Sequence, residues 1–292
     1  MSASPLPTLP PGAAPTPPPT PPPTTPPTPP PTTPAAPNAL ERFKAVIFSI
    51  QDICVFGVRT LVACFSRPFF WRDLYEQLHY SGNGSLMLVL LSSFFSGQAL
   101  ALQLSKELGQ MGAKDYLGRL MATAVIRSLG PVLTGMVVAS RMSAGHAAEV
   151  GSMRISNQIE ALTAFGIDPI KKLAVPRLIS LMIMLPMLVM LSDGVSVFGG
   201  YIVSQVVVHI SPSTYWAGVW ASLQMGDLLV GAVKPFFFAV IIAIVGTYKG
   251  FHAEGGTKGV GIATTEAVVI CMVSILIADL CVTRAMFNLL GW

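Results

Sequence analysis

Charged side chains inside long apolar stretches are the residues of this 292-residue chain most able to do chemistry. Five of them stand out: Asp193, Lys234, Glu266, Asp279 and Arg284. Placing an ion at the centre of a bilayer costs at least about 2.5 kcal/mol on insertion scales, so such residues are functional candidates by default. Lys234 and Arg284 lie close enough to the ends of their stretches to snorkel to the headgroups. For Asp193 and Asp279, a gating or substrate role and simple hydrogen bonding between helices both stay open.

Other kinds of reactive site are not indicated. The four histidines are scattered and the four cysteines form no C-x-x-C pair, so neither a metal nor a redox site is expected. The glycine-rich stretch 255–258 lacks the spacing of a phosphate-binding loop and the Ser or Thr that follows its lysine. No basic run with interleaved aromatic residues indicates nucleic-acid binding. We therefore expect no cofactor, metal or nucleic acid on this chain.

The elements that must position the charged residues are membrane-spanning helices. The chain is 52% hydrophobic and only 11% charged, with a mean hydropathy of +0.63. Soluble domains carry about 25% charged residues, so the apolar excess here must face lipid. Five stretches are long enough to cross about 30 Å of hydrocarbon. They cover 85–105, 117–142, 174–208, 228–249 and 264–290.

The N-terminal third divides into two parts before these spans. Residues 1–40 hold most of the chain's 25 prolines and no charged side chain, which predicts a disordered tail without helix or sheet. Residues 41–72 have apolar positions at helical spacing together with several charges, which predicts an amphipathic helix in the membrane interface and a connector. Residues 73–292 then form the membrane domain. The distribution of Lys and Arg among the connections predicts a cytoplasmic N-terminus and a C-terminus on the other side.

The connection 143–176, between the second and third spans, is too long and too patterned for a simple turn. Its apolar residues recur at helical intervals and ionic residues occupy the other positions, so one or two short amphipathic helices are expected on the cytoplasmic side. A helix stop is expected at 166–169, where glycine and proline occur together. Such an element is either an interfacial helix without a partner or a docking element for a cytoplasmic protein.

Several strings in this connection and around it resemble one family, the MlaE/YrbE-type permeases of MCE-associated ABC lipid transporters. They are Glu149-x-Gly151-x-Met153-Arg154, Gln158-Ile159-x-Ala161-Leu162, Gly166-x-x-Pro169, Arg127-x-Leu129-Gly130-Pro131, Pro176-Arg177 and the stretch 259–269. The strings occur in matching order and spacing from about residue 41 to the C-terminus, and the tail is not covered. The resemblance implies an all-α integral membrane fold with an N-terminal interfacial helix, five transmembrane helices and a cytoplasmic coupling helix between spans two and three.

The resemblance also implies partners. In that family two permease copies pack together as a homodimer, a cytoplasmic ABC ATPase hydrolyses ATP with Mg²⁺, and a periplasmic MCE-domain protein exchanges lipid with the permease. By position, the element at about 143–170 would contact the ATPase. Its coupling residues would be Glu149, Gly151, Met153, Arg154 and Gln158. The implied location is the bacterial inner membrane.

The family's lipid cavity lies at the dimer interface and is formed by spans one and two. By position this implicates Leu100, Leu108, Met111, Ser128 and Leu129. Relatives often carry Glu where this chain has Ser128, so Arg127 must find a different partner or lose that role. Arg127, Asp193 and Asp279 are the candidates for gating.

The sequence therefore predicts a permease subunit that moves phospholipid or a related hydrophobic molecule between the inner membrane and an MCE-domain partner. The alternative is a self-sufficient secondary transporter. Such a transporter would show inverted repeats, and five spans divide badly into two halves. A membrane-embedded enzyme would need a catalytic constellation that the sequence does not display.

Overall fold

The computed structural model describes residues 39–64 and 71–290, and these residues form helices and turns without any β-strand. The proline-rich tail before residue 39 and the basic connector at 65–70 lie outside the described residues. The long helices are α1 (Ala39–Cys64), α2 (Trp71–Gln110), α4 (Gly130–Ile155), α6 (Val175–Val203), α8 (Met225–Phe251) and α9 (Gly256–Leu290). Shorter helices are α3 (Leu117–Ala124), α5 (Gln158–Ala164) and α7 (Pro212–Ser222).

Five helical segments of the described chain are long and apolar enough to cross a membrane, which confirms the predicted number. They cover Trp71–Gln110, Lys114–Ile155, Ile170–Val208, Gly226–Phe251 and Gly256–Asn288. The first of them is much longer than the predicted apolar stretch at 85–105. A helix of 40 residues extends about 60 Å, so α2 projects well beyond about 30 Å of hydrocarbon.

The helix that precedes the spans is confirmed as α1, and Phe56 and Gly57 on one of its sides contact α8. Phe56 stacks near Tyr248 and Phe251, with ring centroids 5.8 and 5.7 Å apart. On its other side Phe48, Val58 and Val62 are more than half exposed. Exposed apolar residues beside charged ones suit the headgroup region, and the interfacial position of α1 stays a prediction.

Small residues bring α2 and α6 into close contact. Ser93 Oγ donates a hydrogen bond to Ser192 Oγ at 2.8 Å, and Ser196 Oγ donates to the Ser93 carbonyl at 2.9 Å. At Gly97 a β-carbon would lie only 2.2 Å from the Ser196 carbonyl oxygen. Without a hydrophobic force between helices in lipid, close backbone approach and hydrogen bonds of this kind hold spans together.

Glycines of α8 allow α4 to pack against it in the same manner. A β-carbon at Gly246 would lie 3.0 Å from the Ser143 Cα, and one at Gly250 would lie 2.7 Å from the Val150 Cβ. Nearby, the core consists of fully buried apolar side chains of α4, α6, α8 and α9, among them Val138, Met142, Leu181, Phe238 and Cys271. The pair Gly246-x-x-x-Gly250 is thus a helix-packing motif.

The beginning of connection 143–176 is a continuation of span two, so the one or two short helices expected in the connection amount to one. Helix α4 runs without interruption to Ile155, because nothing between 143 and 155 breaks it and its small residues pack against α8. The chain turns at Asn157 (φ 58°), and α5 is the one short helix of the connection. The predicted stop is confirmed, since Gly166 has φ +73° and Pro169 precedes the next helical segment.

Candidate functional site

Four charged side chains meet between spans two, four and five, and we call them the charge cluster: Arg127, Asp227, Lys234 and Asp279. The Arg127 guanidinium pairs with the Asp227 carboxylate, and the Lys234 ammonium lies 2.8 Å from Asp279 Oδ1. The expectation that Lys234 snorkels is wrong, because its side chain is fully buried against these partners. Asp279 thus takes part in an ion pair between helices, and its gating role stays a prediction.

The local backbone at Pro131 explains why Lys234 binds at this position. Proline has no N–H to donate to the carbonyl four residues earlier, which is that of Arg127. Just before α4 the helix widens into a π-helical turn at Val125–Leu129. Turns of this kind are frequent at functional sites. The Lys234 Nζ donates a 2.7 Å hydrogen bond to the freed Arg127 carbonyl. The proline of the R-x-L-G-P string therefore leaves the Arg127 carbonyl free to accept a hydrogen bond from the Lys234 ammonium.

The charges of the cluster balance, with two cations and two carboxylates. Asp227 and Lys234 are almost completely buried, while Arg127 and Asp279 keep 30% and 18% of their side-chain surface exposed. A buried ion with a hydrogen-bonded partner is tolerated, whereas removing that partner is expensive. The cluster thus ties three spans together, and a movement that separates them must break at least one ion pair.

A cavity of about 250 Å³ adjoins the cluster and is lined by Thr123, Ala124, Arg127, Ser128, Asp227, Val230, Thr283 and Phe287. Ser128 therefore lies beside the ion pair between Arg127 and Asp227. Asp227 is the partner that the sequence argument left unnamed. It is the acidic residue at the start of α8, and only its position before an apolar stretch could have marked it.

Asp193 is separate from the cluster and lies on a larger cavity, of about 540 Å³, between α6, α7 and α8. Its carboxylate is against the backbone of span two, because a β-carbon placed on Gly130 would lie 1.7 Å from Asp193 Oδ1. That oxygen is buried and accepts no hydrogen bond from the described part of the chain. The three candidates for gating are therefore not one site.

Ion pairs also connect the helices at the opposite end of the bundle. Glu149 Oε2 of α4 lies 2.8 Å from Arg177 Nη2 of α6, and Lys172 pairs with Asp73 at the start of α2. Arg177 is 2% exposed although Glu149 is half exposed, so the pair anchors the surface of α4 to the interior of the bundle. A polar cavity of about 130 Å³ lies among these residues.

Comparison with known proteins identifies this architecture. The family model described as "Permease MlaE" matches residues 74–285. The chain belongs to the MlaE permease family. A probable ABC transporter permease protein of Rickettsia bellii is 35% identical over 240 residues, which is 82% of this chain and 93% of that protein.

Two further relatives come from distant organisms. A probable ABC transporter permease protein of Synechocystis is 36% identical over 217 residues, 74% of this chain and 82% of its own length. The protein Trigalactosyldiacylglycerol 1, chloroplastic, of Arabidopsis thaliana is 35% identical over 218 residues, 75% of this chain and 62% of its own length. The chain is thus a multi-pass membrane protein and a permease subunit of an ABC transporter.

The residues suggested for ATPase coupling occupy different environments in this MlaE-family permease. Gly151 is buried, and a β-carbon on it would lie 3.2 Å from the Ala253 Cβ, so it serves packing against the turn between α8 and α9. Met153 is partly buried, whereas Gln158 is exposed. Arg154 Nη1 donates to Glu160 Oε1 at 2.9 Å on the surface of α5.

One large aromatic side chain in connection 143–176 is almost fully exposed, and the sequence does not predict this. Phe165, at the end of α5, is 82% exposed. We call Arg154, Gln158 and Phe165, whose side chains are all at least partly exposed at or beside α5, the α5 surface. In the sequence Phe165 is one of several apolar residues at helical spacing in connection 143–176. Exposure of a large aromatic ring is a property that spacing alone does not reveal.

The five residues suggested for lipid binding are not gathered into one cavity of a single chain. Leu100 and Leu129 line a narrow crevice of about 20 Å³ between α2 and α4. Leu108 is buried in the cluster that contains Leu117, whereas Met111 is 78% exposed after the end of α2. The structure brings no cavity around all five in the described residues, so this site stays a prediction.

Proposed function

We propose that this permease moves phospholipid or a related lipid between the bacterial inner membrane and a periplasmic MCE-domain protein. A separate cytoplasmic ABC subunit would bind ATP and Mg²⁺ and hydrolyse the nucleotide, and this chain would supply no cofactor. A lipid substrate is supported by the name of the Arabidopsis relative, which contains that of a galactolipid. Apolar cavities within the bundle agree with a substrate that carries hydrocarbon chains.

The observation that carries the proposal is the continuity of α4. One uninterrupted helix of 26 residues runs from the charge cluster to the α5 surface, a length of about 39 Å. A helix that is packed along this length against α8 and α9 transmits a displacement of one end to the other. Movement of an ATPase bound at the α5 surface would therefore reach the ion pairs of Arg127 and Lys234.

Two permease copies would be needed to complete the lipid site. Leu100 is partly exposed, and Leu129 and Met111 are exposed by 38% and 78%, so a second copy would cover them. In the membrane, the α5 surface would face the cytoplasm together with Lys171 and Lys172, and the C-terminus would face the periplasm, as the positive-inside rule requires.

Co-expression with the ABC ATPase and the MCE-domain protein of the same organism tests the assembly. We expect both proteins to co-purify with the permease in fixed stoichiometry. Arg154→Glu should weaken recovery of the ATPase and remove stimulation of ATP hydrolysis, because it reverses a charge on the α5 surface. Lys106→Glu makes the same change on an exposed residue at the other end of the bundle and serves as the matched control.

Glu149→Lys is a less specific variant than Arg154→Glu. It would leave the buried Arg177 guanidinium beside a second cation, so loss of stability would accompany any loss of coupling. Phe165→Ala adds an independent test, because this ring is exposed and its removal costs the fold little. Normal recovery and normal ATP hydrolysis in both Arg154→Glu and Phe165→Ala would refute docking at the α5 surface. Transport by the isolated chain, driven by an ion gradient, would refute the ABC mechanism altogether.

A further inference from the structure

The large cavity between α6, α7 and α8 has the size and lining of a site for a small amphiphile. Its volume of about 540 Å³ falls in the range of about 300–1,000 Å³ that is typical of ligand pockets. Its walls are almost entirely apolar, and they include Pro186, Val189, Met190, Val197, Trp216 and Trp220. Such walls suit a hydrocarbon chain or a comparable apolar body.

Asp193 is the single ionisable residue in this lining. Its Oδ1 is buried, and no donor among the described residues forms a hydrogen bond with it. A buried polar atom without a partner loses the free energy of a hydrogen bond to water, which is why most such atoms in native proteins have one. Because Oδ1 lies against the Gly130 backbone, a ligand in the cavity meets this carboxyl group through its other oxygen. A carboxyl group on an otherwise apolar wall favours a ligand that brings a hydrogen-bond donor.

The mouth of the cavity opens toward the surface of the bundle. Trp220 is 70% exposed and Met190 is 62% exposed, and both line the cavity. Trp216 and Trp220 lie one turn apart on α7, outside the membrane-spanning segments. Tryptophan rings are enriched where hydrocarbon meets headgroups. A lipid in the adjacent leaflet would therefore reach the cavity laterally, with its polar group near the level of these rings.

We propose that this cavity binds one neutral amphiphile whose head group carries a hydroxyl. The hydrocarbon chain lies against Val189 and the other apolar walls, and the hydroxyl bonds to the Asp193 carboxyl group. A hydroxyl both donates and accepts, so it satisfies this acid whether it is ionised or protonated. A quaternary ammonium head group offers no such donor. The site lies apart from the crevice of Leu100 and Leu129 and does not depend on the transport proposal.

Quenching of tryptophan fluorescence by a brominated lipid tests this site directly. The full chain, with Trp71 and Trp292 replaced by Phe, retains Trp216 and Trp220 as its fluorophores. The probes are a monoacylglycerol with a dibrominated chain and the methyl ester of the same fatty acid, which lacks hydroxyl donors. In detergent micelles we expect saturable quenching by the monoacylglycerol. The methyl ester should need about tenfold more probe for half-saturation, as expected for the loss of one hydrogen bond.

Gly194 provides a way to fill the cavity without disturbing the fold. It lines the cavity, and a β-carbon on it would meet no atom within 4 Å. Gly194→Leu should therefore abolish saturable quenching. Met187→Phe adds bulk to an exposed position of the same helix outside the cavity and should leave quenching unchanged. Asp193→Leu should remove the difference between the two probes, and Asp193→Asn, which keeps an acceptor, should retain it.

Two results would overturn the proposal. One is quenching that rises in proportion to the bromolipid content, is equal for both probes and is unaffected by Gly194→Leu. In that case Trp216 and Trp220 would report only ordinary contact with the micelle. The other is an altered subunit stoichiometry of Gly194→Leu, which would mean that a second copy covers the cavity. Neither result depends on ATP hydrolysis or on lipid transport, so the proposed function would stand or fall separately.

Discussion

Removal of the Asp279 carboxylate should destabilise the permease strongly, because it leaves the Lys234 ammonium without its counter-ion. The Lys234 side chain has no exposed surface, and its partners are Asp279 Oδ1 at 2.8 Å and the Arg127 carbonyl at 2.7 Å. In Asp279→Leu only the carbonyl remains, and breaking a buried pair from one side costs about 3–5 kcal/mol. That loss corresponds to about two to three and a half powers of ten in the unfolding equilibrium constant.

The double variant Lys234→Met, Asp279→Leu should recover most of this stability. Replacing both charges by apolar groups of similar volume removes the uncompensated ion and costs less than about 1.5 kcal/mol in a well-packed core. Glu76→Gln provides the matched control, because its pair with Arg72 is 3.4 Å long and largely exposed. Exposed pairs of this kind contribute about 0.3–0.5 kcal/mol.

Unfolding of the purified protein in mixed micelles by increasing SDS, followed by circular dichroism, measures these differences. A double-mutant cycle then yields the coupling energy between Lys234 and Asp279. We expect a coupling energy of at least about 2 kcal/mol, with the single variants below the double variant in stability. Additive effects, or a single variant as stable as the wild type, would refute the assignment of a buried ion pair between α8 and α9.

Three further substitutions follow from the packing. Gly97→Ala should lower the free energy of unfolding by about 1–3 kcal/mol, because its β-carbon would lie 2.2 Å from the Ser196 carbonyl oxygen; an unchanged SDS midpoint would contradict the close contact. Tyr215→Phe should cost about 0.5–1.5 kcal/mol, since the buried hydroxyl donates to the Val197 carbonyl at 2.9 Å, and the same titration would detect it. Gly194→Ala should stabilise α6 by about 0.4–1 kcal/mol, and a loss would show that the position has no free space.

The helical class and the five spans could be predicted because they depend on the order of residue types along the chain and not on contacts between distant residues. Apolar length marks a span, and the adjacent glycine and proline at 166–169 end a helix wherever the rest of the chain lies. The family was recognisable for the same reason, since its strings keep their order and spacing. The boundaries were less predictable, because a helix such as α2 continues into polar sequence once its neighbours support it.

Partners across helices could not be predicted. Arg127 and Asp227 are separated by 100 residues, and nothing in their spacing indicates an ion pair. The sequence predicts snorkelling for Lys234 because it shows how close this residue lies to the end of its span and does not show which residues surround it. Its actual position follows from a proline that frees a carbonyl and from an acid on the next helix, which are three-dimensional facts. Likewise, only the packing against α8 explains why α4 continues through 143–155.

Lipid movement by the assembled transporter tests the central claim most directly. The permease, its ABC ATPase and the MCE-domain protein would be reconstituted in liposomes with a fluorescent phospholipid, and transfer between membrane and MCE-domain protein would be followed with and without ATP. We expect lipid transfer to require both ATP and the permease. Arg154→Glu should abolish the transfer, and Lys106→Glu should preserve it. Lipid transfer at the same rate without ATP or without the permease would contradict the account.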